Sequence, residues 1–206
     1  MNRIEYFGKC LDRSDLSDDP IQMTADWIEQ GRFGGIAEPE AMCLSTVDGA
    51  GQPSSRMVLM RGLSQRGLVF YTNYNSLKAH EIRENPQVAC HFFWPQLHRQ
   101  IRIRGVASLL TGQESDAYFA SRPRTSQLSA HASQQSEVIV DRDFLETRMR
   151  QVENRYPDEV PRPQNWGGFL VAPSEFEFWQ GRPSRLHDRF RYRMEEGVWL
   201  IERLAP

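Results

Sequence analysis

The order of short, β-rich runs is the feature that most constrains the fold of this chain. These runs mostly follow one another directly, and Asp48-Gly49 and Gln65-Arg66-Gly67 have the composition of hairpin turns. Strands that arrive as consecutive neighbours, with most helices late in the chain, argue against alternating βαβ units. The sequence therefore predicts a mainly β, α+β fold, an antiparallel, Greek-key-like barrel with peripheral helices. Strands are expected at residues 41–47, 55–61, 67–72, 88–94, 100–110, 168–172, 175–180, 185–192 and 198–203.

Helix signals surround these runs. Asp19-Pro20 is typical of an N-cap followed by proline at the first helical position, and it predicts a helix to about Gln30. Ser76 can cap a short helix that runs through Glu84. Pro123 disfavours helical geometry at the preceding residue and so ends a helix, after which Ser126 can cap the next one. Helices are expected at residues 112–121, 126–134 and 141–155, and a proline-containing loop at 157–165.

Composition limits the classes of function. The 206 residues suggest one domain at 19–206, preceded by a polar arm or lid at 1–18. A net charge of −2 argues against a general nucleic-acid binder. The N-terminus lacks an apolar signal segment and no 18-residue apolar run follows, so we expect a cytoplasmic protein that does not enter membranes. The three cysteines, Cys10, Cys43 and Cys90, are widely spaced and indicate neither disulfides nor a metal site.

The motif Arg-x-His-x-Arg near the C-terminus is the strongest functional signal. If residues 185–189 are extended, Arg185, His187 and Arg189 project from one face of a strand. Such cationic or titratable groups repel one another unless an anionic or electron-rich group lies between them. A solvated edge strand, whose charges discourage aggregation, is the alternative.

The stretch that contains this motif resembles the signature of the pyridoxamine 5′-phosphate oxidase family. The matching elements are an aromatic-flanked Glu177, Trp179-Gln180, a four-residue spacer and Arg-Leu-His-Asp-Arg at 185–189. The resemblance implies an FMN-dependent enzyme on a split β-barrel that oxidises pyridoxine 5′-phosphate and pyridoxamine 5′-phosphate to pyridoxal 5′-phosphate. Dioxygen would be the electron acceptor and hydrogen peroxide the second product. It also implies a homodimer with FMN at the subunit interface.

The resemblance further implies which residues hold FMN. Two positions depart from the family pattern: Arg61 stands where lysine is usual, and Leu77 stands where arginine is frequent. Arginine can still bind a phosphate, but its planar fork differs in reach from an ammonium. The residues implied for the cofactor are Arg56, Met57, Val58, Leu59, Met60, Arg61, Tyr71, Thr72, Leu77, Lys78, Gln100, Gln135, Ser136, Trp179 and Arg189.

A second group of residues is implied for the substrate. Tyr118 and Arg122 are four residues apart and share a helix face, and Ser126 follows, so a phenol, a guanidinium and a helix start converge. Ordinary helix–turn–helix punctuation is the alternative. The resemblance assigns these three residues and Arg61 to the substrate phosphate. It places Arg185 and His187 over the pyridine ring as catalytic residues. It assigns Arg3 and Tyr6 to a segment that closes over the site.

Two other functions stay open at this point. One is a related flavin oxidase of secondary metabolism, of the phenazine type, which would keep the FMN site but lose the phosphate pocket. The other is a non-catalytic protein that binds a flavin or pyridoxal phosphate. The retained Tyr118, Arg122 and Ser126 disfavour the first, and the retained Arg185 and His187 disfavour the second.

Overall fold

The computed structural model describes Tyr6 and residues 9–206. Over these residues, nine strands form one antiparallel sheet with five α-helices around it. The strands are β1 Ala41–Val47, β2 Pro53–Leu59, β3 Gly62–Ser64, β4 Gly67–Asn73, β5 Gln87–Trp94, β6 Arg99–Leu109, β7 Trp166–Gln180, β8 Asp188–Glu195 and β9 Val198–Arg203. The helices are α1 Pro20–Phe33, α2 Leu77–Glu84, α3 Gly112–Ser121, α4 Arg124–Ala132 and α5 Arg142–Arg155.

The sheet is organised around the long strand β7. Its neighbours follow the order β2-β1-β5-β6-β7-β4-β3, and β8 pairs with both β7 and β9. The first part of β7 pairs with β4, from Trp166 to Val171, and its last part pairs with β8, from Glu175 to Gln180. β4 and β8 therefore pair with successive parts of β7, and the sheet curls into a half-barrel. The predicted antiparallel β fold with peripheral helices is confirmed.

A bulge in β7, where Ser174 lies unpaired between Pro173 and Glu175, accounts for one difference from the predicted strands. Residues 168–172 and 175–180 belong to a single strand, because the register shift between Arg104 and Gly105 accommodates Pro173 within the ladder. A Cβ at Gly105 would lie 2.4 Å from the carbonyl oxygen of Ala172, so only glycine allows the two backbones to approach this closely. A proline within a strand is tolerated at a bulge, because the ladder is interrupted there.

The segment before β8 contradicts the expectation of one extended strand over 185–192. Residues 183–185 form a 3-10 turn in which Ser184 and Arg185 have φ values of 56° and 62°, and β8 begins only at Asp188. Arg185, His187 and Arg189 therefore do not project from one strand face as predicted, because only Arg189 lies in the strand. The competing influence is Pro183, which favours a turn over a strand start.

Several helix ends and caps also differ from those predicted. Helix α1 begins after Asp19, whose carboxylate accepts a hydrogen bond from the Ile21 backbone N–H at 2.9 Å, as predicted, but the helix extends to Phe33. Helix α4 begins directly after Pro123, so Ser126 lies in its first turn and is not its cap. Ser76 precedes α2, yet its hydroxyl donates to the Asn73 carbonyl instead of capping the helix. Strand β3 was not predicted.

Two hydrophobic clusters hold the fold together. The larger one fills the inside of the sheet, where Phe178 meets the Trp27 ring of α1 edge-on at 5.2 Å. The smaller one joins α3 and α4 to the start of β7 through Phe119, Leu128 and Trp166. This second cluster fixes the helices that form one wall of the site.

The N-terminal segment is anchored from Leu11 onward. The Leu11 backbone N–H donates to Asp188, and the Tyr192 hydroxyl donates to the Ser17 carbonyl at 2.7 Å. The division into an arm at 1–18 and a domain at 19–206 stays a prediction. No helix in the described part of the chain is both long and apolar enough to cross a membrane.

Candidate functional site

A cavity of about 880 Å³ lies between the β2 edge, β4 and helices α2, α3 and α4. Its walls are polar and apolar in similar measure and carry several cations. Fourteen of the residues predicted from the sequence line it: Arg56, Met57, Val58, Leu59, Arg61, Tyr71, Thr72, Leu77, Lys78, Tyr118, Arg122, Ser126, Gln135 and Ser136. Residues from three distant parts of the sequence therefore meet at one cavity.

One corner of the cavity is built around Lys78. Its Nζ lies 3.1 Å from Thr72 Oγ1, 3.3 Å from Ser76 Oγ and 3.2 Å from Gln135 Oε1. Burial, together with a smaller contribution from the neighbouring Arg56, lowers the pKa of Lys78 to about 8 against a raising contribution from Glu81. A buried ammonium whose direct partners are all neutral is suited to an incoming anion.

A second corner is built around Arg122. Its guanidinium lies over the Trp166 ring at 4.5 Å, and its buried Nη1 has no hydrogen-bond partner. Burial lowers the pKa of Arg122, and Arg61 also lowers it, while Tyr118 raises it. The Tyr118 ring stacks on Tyr71 at 3.8 Å. An anionic ligand would supply the acceptor that this buried guanidinium N–H lacks, and the second arginine nearby adds to the attraction for an anion.

A separate patch is formed by the end of β7 and the turn that follows it. The Trp179 ring lies 4.5 Å from the His187 ring, and Tyr6 lies 5.7 Å from His187 and 4.6 Å from His98. The Arg182 backbone N–H donates to His187 Nδ1 at 3.0 Å. Burial lowers the pKa of His187, Arg185 lowers it further, and Asp188 opposes them. Because Nδ1 accepts the hydrogen bond from Arg182, the proton of the neutral imidazole lies on Nε2.

Two further predicted cofactor residues lie near this patch on neighbouring strands. The Gln100 side-chain oxygen lies 2.9 Å from His91 Nε2. Arg189 donates to Glu177 at 2.8 Å and to the Ala205 carbonyl at 2.6 Å. Among the residues that the structure describes, the lining of the large cavity does not include Gln100, Trp179, Arg185, His187 or Arg189.

Comparison with known proteins assigns the chain to a family. A family model described as pyridoxamine 5′-phosphate oxidase matches residues 32–156, and one described as the pyridoxine 5′-phosphate oxidase C-terminal dimerisation region matches residues 166–206. The chain belongs to the pyridoxamine 5′-phosphate oxidase family.

Individual relatives extend over almost the whole chain. The pyridoxine/pyridoxamine 5′-phosphate oxidase of a Nocardioides species is 50% identical over 99% of this chain and 96% of its own length. That of Mannheimia succiniciproducens is 46% identical over 99% of this chain and 97% of its own length. The crystal structure of PhzG from Burkholderia lata 383, in complex with tetrahydrophenazine-1-carboxylic acid, superposes with a TM-score of 0.91 at 29% identity. It covers 97% of this chain and 99% of the other.

Not every residue implied by the family pattern lies where the pattern suggests. Met60 follows β2, is buried in the hydrophobic core and does not line the cavity. Arg3 lies outside the described residues. The signature motif and the cavity corner around Arg122 occupy different places within one chain.

Sequence reasoning missed several residues that support the site. Glu81 lies one helical turn after Lys78, and this spacing could have drawn attention to it. Trp166 stacks on Tyr71 and carries Arg122, but no local pattern marks it, because its partners lie far away in sequence. Glu177 was part of the signature without a role, and it accepts hydrogen bonds from both Arg102 and Arg189.

Proposed function

We propose that this family member catalyses the FMN-dependent oxidation of pyridoxine 5′-phosphate and pyridoxamine 5′-phosphate to pyridoxal 5′-phosphate. Dioxygen accepts the electrons and becomes hydrogen peroxide. Pyridoxine phosphate then needs only dioxygen, whereas pyridoxamine phosphate also consumes water and releases ammonia. The observation that carries this proposal is a single cavity with two separate cationic corners, around Lys78 and Arg122. Two monophosphates, one from the cofactor and one from the substrate, match two such corners.

The Lys78 corner fits the FMN phosphate. Lys78 supplies a buried charge, Thr72 and Ser76 supply hydroxyls, and Arg56 lines the same cavity. When bound, FMN takes up the two electrons removed from the substrate and passes them to dioxygen. The protein contributes binding, orientation and the exclusion of water.

The Arg122 corner fits the substrate phosphate. Arg122 has a free, buried N–H, Arg61 lies close enough to lower its pKa, and Tyr118 and Ser126 add hydroxyls at the cavity wall. Charge-assisted hydrogen bonds of this kind discriminate strongly for a phosphorylated substrate. Arg61 in place of lysine keeps the charge.

The Trp179–His187 patch completes the site from a second copy of the chain. Within one chain it does not border the cavity, yet the family's dimerisation region, residues 166–206, contains it. In the homodimer, FMN lies at the interface between one chain's cavity and the partner's patch. Arg185 and His187 would then orient the pyridine ring, with the Nε2–H of His187 donating a hydrogen bond to an oxygen or nitrogen of the substrate. Tyr6 closes over this patch.

The similarity to PhzG raises a second candidate, an oxidase acting on a phenazine precursor. A substrate without a phosphate would leave the buried Arg122 N–H unsatisfied, which costs about 1–3 kcal/mol for such a group. The phosphate corner therefore favours the phosphorylated vitamers.

Anaerobic flavin reduction tests the proposal. Protein loaded with FMN is mixed with pyridoxine 5′-phosphate without oxygen, and the flavin absorbance is expected to bleach and to return when oxygen is admitted, with release of hydrogen peroxide. Free pyridoxine serves as the matched control and should bleach the flavin far more slowly. A protein that binds no FMN, or that uses both vitamers equally well, would contradict the proposal.

A further inference from the structure

The buried carboxylate of Glu81 is a feature of the site that the proposed chemistry does not use directly. Glu81 is 5% exposed and lies on α2, one turn after Lys78 and facing β1 and β2. Its carboxylate accepts hydrogen bonds from the Ser54 hydroxyl at 2.7 and 2.8 Å and from Arg56 at 3.0 Å, and it also accepts one from Thr46. A buried carboxylate with so many donors is fixed in one orientation.

The same contacts fix the guanidinium of Arg56. Its Nη1 donates to the Leu44 carbonyl at 3.2 Å and to Thr46 at 2.5 Å, and its Nη2 donates to Ser54 at 2.5 Å and to Glu81. Thr46 and Ser54 therefore contact both members of the ion pair. An arginine held in this way is oriented towards the cavity before any anion arrives, which lowers the entropic cost of binding.

Electrostatics joins Lys78 to this ion pair. The charged groups that act on Lys78 are Arg56 from β2, which disfavours its charged form, and Glu81 from its own helix, which favours it. Its other close neighbours, Thr72, Ser76 and Gln135, are neutral. Without Glu81, two cations would remain together in a buried corner, and the one that can release a proton is Lys78.

We propose that Glu81 is a positioning residue for the cofactor: it orients Arg56 and keeps Lys78 charged, so that the corner binds the FMN phosphate at neutral pH. This inference rests on the proposed function, because it concerns the same FMN site. Glu81 itself does not line the cavity, since the lining residues from its helix are Leu77 and Lys78.

The proposal has a distinctive pH dependence. Lys78, with a lowered pKa of about 8, is charged below that pH and neutral above it, so the affinity for FMN falls as the pH rises through about 8. Replacing Glu81 by glutamine keeps a hydrogen-bond acceptor but removes the charge that supports Lys78. The fall in affinity should then begin at a lower pH.

The experiment is a titration of cofactor-free, full-length protein with FMN between pH 6 and 10, followed by flavin fluorescence. For Glu81→Gln we expect the Kd for FMN at pH 7.5 to rise about tenfold, the lower end of the loss of affinity seen when hydrogen-bond partners of metal-binding residues are removed. We also expect the pH profile to shift to lower pH. Glu84→Gln is the matched control: Glu84 lies on the same helix but accepts from the Gly49 backbone at the surface. Glu84→Gln should reproduce the wild-type profile. Changes in the protonation of FMN itself affect all three proteins equally and therefore do not alter the comparison.

The outcomes separate the two proposals. If the wild-type protein fails to bind FMN, the proposed function is wrong. If it binds and Glu81→Gln matches it in Kd, or loses affinity without a shift in the pH profile, the role of Glu81 is wrong. Should Glu81→Gln fail to fold by circular dichroism, Glu81→Asp keeps the charge with a shorter reach. We then expect weaker binding with the wild-type pH profile, and wild-type affinity in that variant would overturn the proposal.

Discussion

At the scale of one residue, Arg122 is the basis for predicting that the site prefers an anionic ligand. Its guanidinium is half-buried over Trp166, its pKa is lowered by that burial, and one of its nitrogens has no hydrogen-bond partner. Leaving a buried donor unsatisfied costs free energy in the empty protein. A ligand that brings a hydrogen-bond acceptor to this nitrogen recovers that cost, and an anionic acceptor recovers most.

Replacing Arg122 by alanine should therefore impair substrate binding more than cofactor binding. The loss of one or two charge-assisted hydrogen bonds, at about 1.5–3 kcal/mol each, predicts a KM for pyridoxine 5′-phosphate that rises about 10- to 100-fold. The Kd for FMN should change little, because Lys78 and its partners remain. Steady-state kinetics and an FMN titration measure the two quantities.

Arg150→Ala is the control for this change, since Arg150 lies on α5 and contacts only Thr147 among the hydrogen bonds described for its side chain. It should leave both quantities unchanged. If an Arg122 variant lost FMN and kept its KM, the assignment would be reversed: the Arg122 corner would bind the FMN phosphate and the Lys78 corner the substrate phosphate.

The turn between β7 and β8 decides the arrangement at the scale of an element. Ser184 and Arg185 both adopt the left-handed region that non-glycine residues rarely occupy, at a cost of order 1–3 kcal/mol each. The turn is held by the Arg182-to-His187 hydrogen bond and by the contact of His187 with Trp179. It separates Arg185 and His187, in the turn, from Arg189, in the strand, so the three residues can have different roles.

We expect these roles to separate in variants. Arg185→Ala and His187→Ala should slow anaerobic reduction of the flavin by substrate and leave the spectrum of the bound flavin largely intact. Arg189→Ala should instead weaken FMN binding, because its guanidinium is fixed beside Glu177 at 2.8 Å. Stopped-flow absorbance and FMN titration measure the two effects.

Arg191→Ala is a matched control for Arg189, because it lies two residues along on the same face of β8 and pairs with Glu202. It should retain FMN like the wild-type protein. If the Arg185, His187 and Arg189 variants all behaved like the wild-type protein, a solvated surface with no functional role would be the better interpretation, since surface substitutions usually change stability by no more than about 0.5 kcal/mol.

At the scale of the whole molecule, the predicted site residues lie in two separate places. The cavity carries Lys78 and Arg122, whereas the β7–β8 turn carries His187, and within the described residues of one chain the turn does not line the cavity. In an isologous dimer, a surface of one chain that contacts a second surface of its partner is matched by the same contact with the two chains exchanged. A symmetric dimer can therefore build two complete sites from two incomplete ones.

Mixed dimers test this division. An Arg122→Ala chain and a His187→Ala chain are coexpressed with different affinity tags, and the mixed dimer is isolated. Turnover is measured at a substrate concentration below the wild-type KM, where each parent protein has little activity. One of its sites combines both intact halves and the other combines both damaged halves, so about half of the wild-type turnover per dimer should return. If both residues acted within one chain, each site of the mixed dimer would carry one damaged residue and activity would stay as low as in the parent proteins.

The sequence by itself determined the strand-rich, antiparallel class, the α1 cap at Asp19 and the residue types that bind phosphates, because turns, caps and charges are local or compositional signals. It also carried the motif that ends at Arg189. Only the tertiary structure decided which of these residues meet. The left-handed turn at Arg185, the Glu81–Arg56 ion pair and the Trp166 support under Arg122 all join residues through long-range packing. The spacing of residues along a chain does not encode such contacts, because they depend on how β7 pairs with strands far from it in sequence.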